Sequence, residues 1–343
     1  MGSSHLPSIS ITMNESPPHP SLQAQAAQKA TLSIPCLREP CRLGHGLDSR
    51  LLATKFPWMP RSAFRRDAET VGQLLALDLH PYRATYREGV SSGSRETSEH
   101  LSASLGATIG CDFLSASVTG SYDHATMQSH NAGDMGSTLS RHASVRAGRL
   151  HFEDLPPLAE PARLALQSSL SEFHTQFGDY FVVALELGAD IGCCLGISSD
   201  SSAESESTAI TVTAHALFWD ASMTSESSTS TEHAELRVGF RSYNTFNNSN
   251  ETVDVVSPGD AAIVRSYAAR YMQQTVDLAP RLQTEMKRLN LSEDSDLDTF
   301  RWSDCDKVVF AGLGVQYILL PFSVVPEVRE LQAMNQQSRD AVS

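Results

Sequence analysis

The stretch that decides the fold is Phe177-Gly178-Asp179-Tyr180-Phe181, followed after six residues by the small pair Gly188-Ala189. Upstream, Arg163–Phe177 carries apolar residues at the three-to-four spacing of an amphipathic helix. Gly178 suits the end of that helix, because glycine takes positive φ without steric cost. Tyr180–Leu195 is aromatic, aliphatic and β-branched, which predicts a strand. The small pair inside it indicates a bulge, a bend or a close approach of another backbone.

Composition and charge limit the classes of function. The chain has 343 residues, 41% hydrophobic content and a formal net charge of −14. This charge excludes nucleic acid as an expected partner and disfavours simple electrostatic adhesion to an anionic bilayer. No run approaches the roughly 18 apolar residues of a membrane-spanning helix. The six cysteines and twelve histidines have no metal-ligand spacing, so we expect free thiols, no metal and no cofactor.

Residue usage along the chain predicts three parts. Residues 1–66 are rich in Ser, Pro and Ala and predict a disordered leader. We expect one domain over residues 67–331 and a tail over residues 332–343. Within the domain we expect a helix over Pro258–Leu289, interrupted at Pro280, and a strand over Val308–Phe322. The start of the chain lacks the basic and apolar regions of a secretory signal, so we expect a cytoplasmic protein or one exported without a visible signal.

Two segments rich in small polar residues surround the Phe177–Phe181 stretch. Neither Lys nor Arg occurs between Arg95 and Arg141, or between Arg163 and Arg237. Both segments contain alternating apolar residues, typical of a strand with one apolar face; the candidates are Leu101, Ala103, Leu105 and Ile109, then Ile210, Val212, Ala214, Ala216 and Phe218. The alternatives are a half-buried face of a soluble sheet for the alternating runs and a surface loop for the Ser/Thr-rich stretches.

The stretch with its small pair resembles the signature of the membrane attack complex/perforin family. That family has Tyr or Trp, Gly, Thr or Ser, His, Phe or Tyr, six residues and then Gly-Gly. Here Phe177 is an exchange of aromatic residues, Asp179 replaces the hydroxyl residue, Tyr180 replaces His, and Ala189 replaces the second Gly. The Gly-Asp-Tyr-Phe form is most similar to that of the small fungal members.

The resemblance implies an α+β fold with a bent, twisted, antiparallel four-stranded sheet, flanking helices and two helical or loop clusters. Each cluster would unwind into an amphipathic hairpin that inserts into a lipid membrane, and a homo-oligomeric ring would form the pore. A separate docking protein could bring the chain to the membrane, and no active site is needed. The alternatives are a binding or scaffold protein that has lost perforation and, more distantly, an enzyme on an unrelated β-rich fold.

Overall fold

The computed structural model describes residues 22–36, 41–52, 57–65, 74–91, 135–198, 237–247, 249–255, 261–292, 300 and 302–340. The described strands are β1 Leu32–Pro35, β2 His45–Leu47, β3 Trp58–Ser62, β4 Leu75–Ser91, β5 Met135–Phe152, β6 Tyr180–Ser198, β7 Arg237–Asn244, β8 Ser249–Val255 and β9 Gly314–Pro321. The described α-helices are α1 Leu22–Ala27, α2 Glu160–Ser168, α3 Leu170–Phe177, α4 Ala261–Val276, α5 Leu278–Arg288, α6 Trp302–Phe310 and α7 Pro326–Asp340.

All of these strands belong to one antiparallel sheet centred on β6. One edge of β6 pairs with β5, which pairs in turn with β4. The opposite edge is shared by two partners: β9 follows Tyr180–Leu187, and β7 follows Ile191–Ser198. The α+β class and the antiparallel sheet are therefore confirmed. The expected number of four strands differs from the nine that the described residues form, because β9, β1, β2 and β3 join the sheet at the beginning of β6 and β8 pairs with β7.

The core has two clusters that meet along β6. The larger joins apolar residues of β5, β6 and β9 to helices α4, α5 and α6. Helix α5 packs on the sheet through one apolar face: its residues Leu278, Leu282 and Met286 recur at every fourth position and are all buried. The smaller cluster joins helices α2, α3 and α7 to the beginning of β6. The two clusters leave β6 buried over most of its described length.

The prediction of a disordered leader is wrong for the described residues between 22 and 65. Leu32 and Ile34 of β1 are completely buried, and β1 pairs with β9. Strand β3 contains Pro60 and pairs only with β2 among the described strands. An edge strand tolerates proline because one side of its backbone needs no partner. At the other end of the described chain, α7 runs from Pro326 to Asp340, where a short helix and tail are expected over Val324–Val342.

Three other predicted boundaries differ from the structure. The helix predicted over Arg163–Phe177 is two helices, because Ser169 is extended and its hydroxyl accepts a hydrogen bond from the Glu172 N–H. The second predicted helix breaks at Asp277 and not at Pro280, which lies in the first turn of α5, where proline is tolerated. The predicted strand over Val308–Phe322 begins only at Gly314; its first residues end α6.

Candidate functional site

The corner between α3 and β6 depends on Gly178. Its φ is +82°, and its N–H donates to the His174 carbonyl at 2.9 Å, which closes the last turn of α3. A Cβ atom at this position would lie 2.3 Å from the carbonyl oxygen of Leu47. Any other residue would therefore be strained in its backbone and would also collide with β2. The predicted end of the helix and start of the strand are confirmed here.

The aromatic residues of the signature form the centre of the smaller core cluster. Phe181 lies 5.0 Å from Phe322 and 5.0 Å from Phe64, measured between ring centroids. Phe177 packs on Phe173 at 5.4 Å. These rings are tilted or edge-to-face, as the quadrupoles of aromatic rings prefer. The cluster joins the corner to α7 and to the residues that follow β3.

Asp179 and Tyr180, two of the residues that depart from the family pattern, bind the N-terminal part of the chain. The Asp179 carboxylate accepts hydrogen bonds from the Ser49 N–H at 2.7 Å and from the Ser49 hydroxyl at 2.5 Å. The Tyr180 hydroxyl donates to the carbonyl oxygen of Ala30 at 3.1 Å. Burial, with a smaller contribution from the Asp179 charge, raises the pKa of Tyr180 to about 12. Both side chains thus fasten residues 22–52 to the corner.

Charged groups surround this contact. Arg50 holds Asp48 through two guanidinium hydrogen bonds of 2.9 and 2.7 Å. Burial of Asp48 opposes its ionisation, but the hydrogen bonds from Arg50 prevail and lower the pKa of Asp48. His174 lies on α3 near the carboxylates of Asp48 and Asp179. Burial lowers the pKa of His174, although the charges of these two carboxylates act in the opposite direction. The imidazole therefore stays neutral at neutral pH.

The backbone of β5 approaches β6 closely at Gly188. A Cβ atom there would lie 2.2 Å from the carbonyl oxygen of Val145. Ala189 is completely buried and lies directly opposite Val145 in the ladder. The close backbone approach that the small pair predicted is confirmed at Gly188; a role of the pair as a hinge stays a prediction.

Irregular pairing crosses the sheet in one row at the level of Gly188. Between Arg146 and Gly148, β5 has one residue more than the facing part of β6. The neighbouring ladders are irregular at the same level, between Leu79 and Arg83 of β4 and between Glu186 and Leu187 of β6 where it faces β9. Since bulges bend a strand and increase its twist, we expect the sheet to bend along this row, which we call the bend line.

The edge of β6 opposite β5 changes its partner at the same line. Strand β9 pairs as far as Leu187 and β7 pairs from Ile191. In the gap, the Gly188 N–H donates to the Leu313 carbonyl at 2.8 Å, and the Asp190 N–H donates to the Thr245 hydroxyl at 2.9 Å. The Leu313 carbonyl and the Thr245 hydroxyl therefore take the place of a neighbouring strand over residues 188–190.

A buried ion pair lies on this line and was missed by the sequence reasoning. The Arg146 guanidinium donates two hydrogen bonds to the Asp190 carboxylate, at 2.5 and 3.1 Å. Arg146 is 18% exposed and Asp190 5%. A usable signal was present, because Asp190 directly follows Gly188-Ala189 inside an apolar run, where a lone carboxylate needs a partner.

The ends of four strands meet at one end of the sheet. In the register of the ladders, Ser91 of β4 lies opposite Thr138 of β5, Met135 lies opposite Ser198 of β6, and Ser198 lies opposite Arg237 of β7. The described strands therefore end at residue 91, begin at 135, end at 198 and begin at 237, all at this one end of the sheet. All of the candidate inserting residues, Leu101, Ala103, Leu105, Ile109, Ile210, Val212, Ala214, Ala216 and Phe218, lie outside the described residues, in the two intervening segments.

The described residues contain neither a candidate metal-ion cluster nor a membrane-spanning helix. Within them, no group of three or more His, Cys, Asp or Glu side chains is placed to hold a metal ion. None of the helices in the described ranges has both the length and the apolar character needed to cross a bilayer.

Comparison with known proteins gives structural likenesses only. No family model matches the chain, and no curated protein matches it. Similar solved structures include GNIP1Aa from Chromobacterium piscinae, with TM-score 0.32 and 11% identity over 91% of this chain and 57% of that one. Pneumolysin has TM-score 0.27 and 13% identity over 58% of this chain and 37% of its own.

A putative cell invasion protein with a MAC/Perforin domain, from Bacteroides thetaiotaomicron, has TM-score 0.29 and 10% identity over 66% of this chain and 54% of its own. The chain thus spans between about a third and just over half of the length of these three proteins. With TM-scores below 0.5, these likenesses establish neither a family nor a function for this chain.

Proposed function

We propose that this protein forms pores: copies of the chain oligomerise on a lipid membrane, and each copy inserts two amphipathic β-hairpins made from residues 92–134 and 199–236. The observation that carries the proposal is the position of the strand ends. Strands β4, β5, β6 and β7 are neighbours in that order, and the described strand ends that border the two segments lie at the same end of the sheet. Continuation of the four strands would place two hairpins side by side in the register that the sheet already has.

The composition of the segments suits such hairpins. A strand that crosses a bilayer needs about 9–11 residues with apolar and polar side chains in alternation. Residues 209–219 have that length and alternation, and residues 101–111 have it as well. The absence of Lys and Arg from residues 96–134 and 199–236 avoids a cost of about 2–4 kcal/mol for a basic side chain on the lipid face at the bilayer midplane.

The sheet edges favour association into a ring. Within the described part of the chain, β4 pairs only with β5, and β8 pairs only with β7. Among the described residues, each outer strand therefore has one edge without a strand partner, and another copy could bind the backbone groups of that edge. Because the two edges are different surfaces, their contact is head-to-tail, and a head-to-tail contact closes into a ring when its rotation allows.

A non-lytic scaffold is the second candidate, favoured by the contacts of Asp179 and Tyr180. These side chains fasten residues 22–52 to the corner through Ser49 and Ala30, and β1 covers an edge of β9. Such fastening restrains the start of β6, which suits a protein that keeps its soluble fold when it binds a partner. A separate docking protein would then bring either form to the membrane.

Dye release from liposomes of varied lipid composition, together with electron microscopy of the same samples, separates the two candidates. A pore former releases the dye and forms rings. Rings or partner binding without release support the scaffold. If the protein neither releases dye nor assembles on any lipid composition, with or without a docking protein from the same source, both candidate functions are contradicted.

A further inference from the structure

We propose that the Arg146–Asp190 ion pair is a register lock: it holds β5 and β6 in their bulged, bent pairing and must break before the sheet flattens. The inference rests on the proposed function only for the step of flattening. The lock itself concerns the soluble protein and can be tested without a membrane.

The geometry ties the pair to one particular register. Arg146 lies opposite Gly188 and Asp190 lies opposite Ser144, so the two charged residues are diagonal neighbours on one face of the ladder. Two parallel hydrogen bonds between guanidinium and carboxylate require both planes to meet in a fixed orientation. Gly188 supplies the space, since a Cβ there would lie 3.2 Å from Cδ of Arg146.

Loss of the bulge would break this arrangement. Ala147 is the extra residue of β5 between the pairs Arg146–Gly188 and Gly148–Leu187. Without an extra residue in β5, the residues of β5 that precede position 147 would shift by one position along β6. A shift of one residue turns every side chain to the other face of the sheet. That face is apolar at this level, where Val145 is 3% exposed and Ala189 is completely buried. The slipped register would bury the Arg146 charge without a partner, which is strongly unfavourable.

The burial of the pair indicates specificity more than stability. The cost of removing two charges from water cancels much of their attraction, and apolar replacements of similar volume often leave stability unchanged or higher. Some buried ion pairs instead select one arrangement among several. The position of this pair on the bend line, beside the bulge, gives it that selective role.

The double variant Arg146→Met with Asp190→Leu tests the lock, and hydrogen exchange of the soluble protein is the first measurement. We expect a thermal midpoint close to that of the unaltered protein, but exchange at least tenfold faster in residues 143–147 and 188–191. The matched control is Arg149→Met with Glu186→Leu. This pair lies in the same ladder, is directly opposed at 3.1 Å and is more exposed. It should leave exchange at the bend unchanged.

The second measurement is the lag before dye release. The double variant should shorten the lag severalfold, whereas the control should not. Unchanged exchange at the bend, equal changes in the control, or a longer lag would overturn the lock. If the double variant does not fold, Arg146→Lys, which keeps the charge but loses the paired hydrogen bonds, should show a smaller acceleration of exchange, and no acceleration refutes the idea. If the unaltered protein releases no dye, the proposed function fails while the exchange data still decide the lock.

Discussion

Replacement of Asp179 by Ala should loosen the N-terminal part of the chain from the signature corner. The carboxylate accepts two hydrogen bonds from Ser49, one from the backbone and one from the hydroxyl. A hydrogen bond to a charged group contributes about 1.5–3 kcal/mol. Both residues are half-buried, so we take the lower part of that range and expect a total loss of about 2–4 kcal/mol in the free energy of unfolding.

Thermal unfolding followed by circular dichroism measures this loss. For a chain of this size, about 1 kcal/mol corresponds to about 2 °C, so the midpoint should fall by about 4–8 °C. Limited proteolysis should also cut residues 22–52 faster in the variant. Ser49→Ala removes only the hydroxyl bond and should cost about 1–2 kcal/mol. Once Asp179 is Ala, adding Ser49→Ala should cost little more, because the two changes break one shared contact.

The control is Asp154→Ala, which removes an exposed carboxylate elsewhere on the same chain and should shift the midpoint by less than about 1 °C. A midpoint of Asp179→Ala equal to that of this control, or unchanged proteolysis of residues 22–52, would refute the view that Asp179 fastens the N-terminal part.

Three other predictions concern packing, pH and insertion. Gly188→Val should lower the thermal midpoint severely or prevent folding, because its Cβ would lie 2.2 Å from the Val145 carbonyl oxygen; a midpoint within 2 °C of the unaltered protein would contradict this (about 1 kcal/mol). Because burial lowers the pKa of His174, the unfolded chain binds the proton first, so stability should be full above about pH 6.5 and fall as the pH drops. His174→Gln should flatten that fall between pH 7 and 5, and an identical pH profile would exclude His174 as its source. Val212→Arg should abolish dye release at an unchanged melting temperature, since a basic residue on the lipid face costs about 2–4 kcal/mol per copy, whereas Thr211→Arg on the other parity should still release dye; equal effects of the two would remove the basis for an inserted hairpin.

The sequence by itself determined the features that depend on near neighbours in the chain. Glycine at position 178, after an amphipathic run, was enough to predict the end of a helix, and the bulky residues from Tyr180 onward were enough to predict β6. The missing side chain of Gly188 similarly predicted the close approach of another backbone. These features follow from steric limits and side-chain periodicity within a few residues, so no distant partner has to be known.

Only the tertiary structure decided the features that depend on residues far apart in the chain. Leu32 pairs with Leu319, and Ser49 binds Asp179, which places in the fold a segment whose composition resembles that of a disordered leader. Likewise Arg146 and Asp190 meet only because β5 and β6 pair with an extra residue between them. The free energy gained from burial and from hydrogen bonds to distant residues offsets the conformational entropy that a short, Pro-rich segment loses when it becomes ordered. The segment therefore folds although its composition is typical of a disordered one.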